Sequence, residues 1–144
     1  MPMSTATVAL ALAAMVVLAM ADFSIKQSSG KISASVGTMI YALSALLISG
    51  LWVLWSSTQG RLEVTPTGVA WSVATGLCFG AFTGLLFVVF TTGANLSVAV
   101  PVIRMGGVVI VSALGVALLG EQLTPRHVIG LCLTLLGVYL LAAA

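Results

Sequence analysis

Residues Leu96–Leu119 read LSVAVPVIRMGGVVIVSALGVALL, a run whose one ionised side chain is Arg104. Crossing a bilayer core of about 30 Å takes around 20 predominantly apolar residues in a helix, so this stretch predicts a transmembrane helix. Working outward, four more stretches meet the same criterion: about 5–27, 34–55 and 68–90 before it and 127–144 after it. Only helices are admissible, because an open sheet edge would leave its N–H and C=O groups unpaired in lipid. The expected fold class is therefore an all-α integral membrane protein of five transmembrane helices forming a single domain over 1–144.

Composition supports this over the whole length. Of 144 residues, 60% are hydrophobic and 6% charged, whereas soluble domains carry about 25% charged residues. Such a chain cannot cover a water-facing surface, so lipid is its expected solvent and the bilayer its first partner. The five Lys and Arg residues give a formal net charge of +2 and stand singly, with no basic stripe, so no nucleic-acid partner is expected. Cys78 and Cys132 lie inside apolar runs, which suits small packed side chains rather than a disulfide or metal ligands. Three carboxylates, one histidine and two lipid-depth cysteines assemble no catalytic triad, metal set or phosphate loop. No enzyme activity, cofactor or metal is expected. Residues 6–21 resemble the apolar region of a secretory signal, and Ala19-Met20-Ala21 mimics a cleavage site. No Lys or Arg precedes them, however, so they are read as the first helix.

The connectors agree with the spans. Residues 27–33 hold Ser, Gly and Lys; 56–67 hold Gln59, Gly60, Arg61 and Glu63; 91–95 are short and uncharged; 120–126 contain Glu121. Thr65-Pro66 and Thr124-Pro125 each read as an N-cap followed by proline in the first helical turn, where its missing N–H is harmless. Trp52, Trp55 and Trp71 flank the second connector, as interfacial indoles do. Gly76, Gly80 and Gly84, at a spacing of four, predict a flat stripe for close helix approach. Five spans place the termini on opposite sides. Arg61 and Arg126 then fall on one side and Lys26 and Lys31 on the other, two against two, with Arg104 inside the membrane. The positive-inside rule gives no preference, which leaves a weakly specified single orientation and a dual topology both open.

Arg104 carries the strongest functional signal. It lies roughly 13 Å inside the fourth span at ~1.5 Å per residue, where an arginine costs about 2.5–3.5 kcal/mol on insertion scales and normally faces a cavity or partner. Pro101 removes the helical donor for the Ser97 carbonyl, and Gly106 and Gly107 follow. A span interrupted by proline and glycine is the best sequence pointer to a transporter's substrate site, so Pro101, Arg104, Gly106 and Gly107 are candidate substrate-binding residues. The competing reading is that Arg104 satisfies backbone carbonyls or pairs with an acid. Asp22 lies ~8 Å from the end of the first span and is the candidate acid. It could instead pair locally with Lys26, four residues on, which is worth only tenths of a kcal/mol at a wet interface. Glu121 and His127 are assigned to the membrane interface.

The C-terminal third, residues 97–143, contains AVPVIRMGGVVIVSALGVALLGEQLTPRHVIGLCLTLLGVYLLA. In its order of features, above all LGEQL at 119–123 followed by Ile-Gly and Gly-Val on the last helix, it resembles the end of an EamA-like domain of the drug/metabolite transporter superfamily. Length and helix count resemble the small single-domain members of that superfamily, whose longer relatives carry two such units inverted in one chain. A second similarity is to the small multidrug resistance transporters, through DFSIKQSSGKISASVGTMIYALSALL from Asp22 onward and GLCLTLLGV from Gly130 onward. Gly130 and Gly137 match the glycines through which the last helices of those proteins dimerise. On that alignment Leu18 stands where the family has its coupling glutamate, so that position has no proton to exchange, and Arg104 favours anionic or carboxylate-bearing solutes over cations.

The resemblance implies one inverted-repeat unit of a transporter, set in a bacterial inner membrane and exporting a small polar or amphipathic metabolite. A second copy in antiparallel orientation, or a paired sibling chain, would supply the other unit. A lipid head-group flippase subunit and a non-transporting scaffold remain as alternatives.

Overall fold

A computed structural model describes residues 4–143. Five helices follow one another: α1 Thr5–Ser28, α2 Ala34–Thr58, α3 Pro66–Thr91, α4 Leu96–Leu119 and α5 Pro125–Ala142. All five are long and apolar enough to cross a membrane, and no strand occurs among the described residues. Most of their large apolar side chains, including Trp52, Trp55 and Trp71, are exposed. That is the state of helices whose remaining solvent is lipid, since a helix bonds its interior backbone groups within itself.

The ends depart from the apolar runs where capping chemistry overrides hydropathy. α3 and α5 begin at Pro66 and Pro125, two residues before the apolar stretches, because Thr65 and Thr124 cap them. The Thr65 hydroxyl accepts from the Gly68 N–H at 3.2 Å. α2 continues three residues past 55 to Thr58, ending in hydroxyls that bond back to the helix, Ser57 to Leu54 and Thr58 to Trp55. The expected fifth span reached 144, and Ala144 lies outside the described residues. α4 is continuous through Pro101, Gly106 and Gly107, over the span read from the sequence. Pro101 sits only in the second turn and removes a single bond, and lipid-embedded helices tolerate glycine.

The chain divides into two compact units, one ending at Gly93 and one beginning at Ala94. In the first unit α3 packs against both α2 and α1. Its contact face is Thr83, Leu86, Phe87 and Phe90, which recur at the i, i+3, i+4, i+7 spacing of one helix face. The buried Thr83 hydroxyl donates to the Phe79 carbonyl at 2.8 Å, so it brings no unsatisfied group into the apolar interior. In the second unit α4 packs against α5.

Gly37 shows why α2 can approach α3 closely. A Cβ built there would lie 2.6 Å from Cε1 and Cζ of Phe87, and both residues are buried. Gly37→Ala is expected to displace the ring and cost about 1–3 kcal/mol, the usual range for overpacking. The check is a lowered melting temperature of the detergent-purified protein, with Gly50→Ala as the matched control, since a Cβ at Gly50 meets nothing within 4 Å.

Candidate functional site

The candidate residues fall on both units, and each unit is described on its own. In the first, Asp22 is 4% exposed, on the stretch of α1 where the helix ends in hydroxyl-bearing residues. Ser24, Ser28 and Ser29 turn their hydroxyls to the carbonyls of Met20, Ser24 and Ile25 at 2.7–2.9 Å, so their polarity is spent on the helix itself. One turn beyond Asp22, the Lys26 ammonium stands 5.3 Å from the centroid of the Phe90 ring, within cation–π range. Phe90 is itself buried. The charged stretch of α1 thus lies over the aromatic end of α3, and Asp22 is a buried carboxylate in a span, a feature that marks functional positions by default. A largely apolar cavity of about 270 Å³ lies nearby, lined among others by Ile25, Ser28, Ile32, Tyr41 and Phe87.

In the second unit Arg104 lies in the continuous part of α4, half-buried, as are Pro101, Gly106 and Gly107. A Cβ at Gly106 or Gly107 would meet nothing within 4 Å. The turn of helix after Arg104 therefore presents open space beside bare backbone.

The glycine stripe of α3 separates into two parts. Gly84 faces Thr38 of α2, whose Oγ1 would be 3.4 Å from an added Cβ, while Cβ atoms at Gly76 and Gly80 would meet nothing within 4 Å. Gly130 and Gly137 on α5 are equally open.

Two features were not anticipated. At the end of α4, Gly120 adopts φ 67°, the left-handed conformation that glycine takes without a Cβ penalty. The Glu121 N–H donates to the Gly115 carbonyl at 3.1 Å. This hook carries the Glu121 side chain back along α4, so that its Oε2 would be 2.7 Å from a Cβ at Gly115. The second feature is a reciprocal cap at α5. The His127 N–H donates to Thr124 Oγ1, and the Thr124 N–H donates to His127 Nδ1, both at 3.4 Å. Nδ1 therefore acts as an acceptor, and in the neutral ring the hydrogen resides on Nε2. Between the two helix ends lies a cavity of about 370 Å³ lined by Ser112, Glu121, Leu123, Arg126 and His127, with Gly130 and Leu131 deeper along α5. The sequence signal for it was Leu119-Gly120-Glu121, a helix stop followed directly by a carboxylate.

Comparison with known proteins gives one positive result. The model of the EamA-like transporter family matches residues 5–143, which takes in all five helices and both units. No curated protein and no solved structure matches at significance. The family match and the five membrane-crossing helices together make this an integral membrane protein of transporter type. The chain belongs to the EamA-like transporter family.

Proposed function

We propose that the chain is one inverted-repeat unit of a metabolite exporter that works as an antiparallel homodimer in a bacterial inner membrane, and that it is not an enzyme. The observation that carries this reading is Arg104. A guanidinium inside a membrane helix, followed by two glycines with nothing against them, supports a polar recess. In it a planar, five-donor group can hold a carboxylate or other oxyanion bidentately. Pro101 leaves the Ser97 carbonyl without its helical donor, adding an acceptor one turn away. In the first unit, taken by itself, the buried carboxylate of Asp22 is proposed as a substrate-binding group for the amine or hydroxyl of a polar metabolite. Transporter sites sit near the bilayer midplane between repeats; a second copy inserted the other way supplies the second repeat.

The experiment that tests the reading is a ligand panel of carboxylates, organic phosphates and organic cations, scored by melting temperature of the purified protein. A binder of the native state raises it by mass action. Anionic metabolites should stabilise, and organic cations should not. Stabilisation by cations alone would remove Arg104 from the substrate site.

Helix contact between the copies is assigned to α5, where Gly130 and Gly137 offer open backbone. Gly130 also lines the α4–α5 cavity, so Gly137→Leu is the cleaner test. It should eliminate the crosslinked dimer while the monomer still inserts, because the added side chain holds the two helices apart. A dimer that survives would shift the contact to Gly76 and Gly80 of α3.

A further inference from the structure

We propose that the α4–α5 cavity binds the head group of a zwitterionic, primary-amine phospholipid, with Arg126 and His127 on the phosphate and Glu121 on the ammonium. The inference stands apart from the substrate reading, since it uses only the second unit and none of the residues around Arg104.

Charge complementarity selects the ligand class. The lining carries one carboxylate, one guanidinium and one imidazole. A bare anion would meet Glu121 and a bare cation would meet Arg126, so a ligand bearing one charge of each sign satisfies both. His127 adds a defined donor. Its Nδ1 is taken by the Thr124 N–H, which leaves Nε2–H for a phosphate oxygen. The His127 N–H, meanwhile, goes to Thr124 Oγ1, so recognition falls to side chains rather than to the helix end.

Depth selects a lipid over a soluble zwitterion. Ser112 lies seven residues before Leu119, about 10 Å along the helix, and Gly115 lies about 6 Å from the same end. α4 is 24 residues long, about 36 Å at that rise against a hydrocarbon core of ~30 Å, so its ends reach the head-group layer. The cavity therefore runs from the head-group layer to the first part of the acyl region. Leu123 nears its outer end, while Leu131 sits deeper, where acyl chains begin. The Gly120 hook is what takes the carboxylate to this depth. Without it, Glu121 would extend into water and could not meet an ammonium held just above the ester level. At about 370 Å³, the cavity lies within the range of roughly 300–1,000 Å³ typical of small-ligand sites.

The test measures dissociation constants by native mass spectrometry, using the detergent-purified full chain. The probes are dioleoyl phospholipids with ethanolamine, choline or glycerol head groups. The ethanolamine lipid should bind about tenfold more tightly than the glycerol lipid, the scale of one charge-assisted hydrogen bond. The choline lipid, which has no N–H to donate, should fall between. Glu121→Gln should bring the ethanolamine and glycerol lipids to within about twofold of each other, and Arg126→Gln should weaken both about tenfold. Gly115→Ala, whose Cβ would stand 2.7 Å from Glu121 Oε2 and shift the end of that side chain, should weaken the ethanolamine preference in the same direction as Glu121→Gln, with the acid still present. Unchanged circular dichroism in all three variants confirms that they fold. An ethanolamine preference that survives Glu121→Gln, or equal binding of the three lipids by the unaltered protein, overturns the site. Displacement of the lipid by equimolar soluble phosphoethanolamine overturns the lipid assignment and leaves a soluble zwitterion in its place.

Discussion

Arg104→Leu is expected to insert at least as well as the unaltered chain and to lose binding of its anionic substrate. On insertion scales the change exchanges a cost of about 2.5–3.5 kcal/mol for a small gain, so the variant is favoured in the membrane. Binding moves the other way. Removing a guanidinium that holds an oxyanion forfeits charge-assisted hydrogen bonds worth about 1.5–3 kcal/mol, or roughly ten- to a hundred-fold in affinity. Arg104→Lys should fall between the two, because a point charge on a flexible stem cannot reproduce the planar fork. The measurement is the ligand-induced rise in melting temperature across the three proteins. Equal rises in the arginine and leucine forms would show that the guanidinium does not touch substrate. A scaffold with no transport role predicts that equality, so the same series separates transport from structure.

How much of this was legible before the fold was known differs sharply between features. The spans were, because lipid imposes one length and one apolar composition on whatever crosses it. α4 begins and ends at the residues the sequence marks, Leu96 and Leu119. The starts of α3 and α5 were legible too, but through Thr65-Pro66 and Thr124-Pro125 rather than through hydropathy, which places both starts two residues late. What was not legible depends on pairing between distant segments. The reason for Gly37 is the Phe87 ring, fifty residues on, and no local pattern sets which turn of α2 meets which turn of α3. Gly76, Gly80 and Gly84 look equivalent at a spacing of four, yet only Gly84 meets a neighbour, because α2 covers only part of that stripe. Pro101 is a different case. Its chemistry frees the Ser97 carbonyl, but one lost hydrogen bond near a helix start is too small a perturbation to interrupt 24 residues whose other backbone groups have no alternative partner in lipid.

The Glu121 hook illustrates a third kind of limit. Gly120 after an apolar run is a readable stop signal, and the structure places it at positive φ as expected of a helix terminator. Which way the next side chain then turns is set by the bond that the Glu121 N–H makes to the Gly115 carbonyl at 3.1 Å. The Glu121 carboxylate then lies against Gly115, its Oε2 2.7 Å from where a Cβ would stand. Two glycines five residues apart on α4 thus act together, one turning the chain and the other making room for what the turn delivers. A reading that treats each glycine separately finds a stop and a packing position and misses the carboxylate between them.

Reporters fused to the C-terminus are expected to be active on both faces of the membrane. The argument is a balance of charge. Lys26 lies in the last turn of α1 and Lys31 in the connector after it. Arg61, in the α2–α3 connector, and Arg126, in the first turn of α5, count for the opposite face, and orientation follows the excess of basic residues near span ends. With two on each side there is no excess, and each inserting chain meets nearly equal alternatives. Two lysines added at Gln59-Gly60 should shift the tally to four against two and drive nearly all copies one way. Gly60 already sits in an exposed turn at φ 64°, so an insertion between the two residues disturbs the fold less than replacing the glycine. If the working unit is antiparallel, this biased form should lose transport while still inserting. Co-expression with a form biased oppositely, by two lysines added beside Ser29, should restore it. A parallel dimer predicts one reporter face from the outset and no rescue by mixing. One fixed orientation in the unaltered protein would rule out the antiparallel homodimer and make an oppositely oriented sibling chain the required partner.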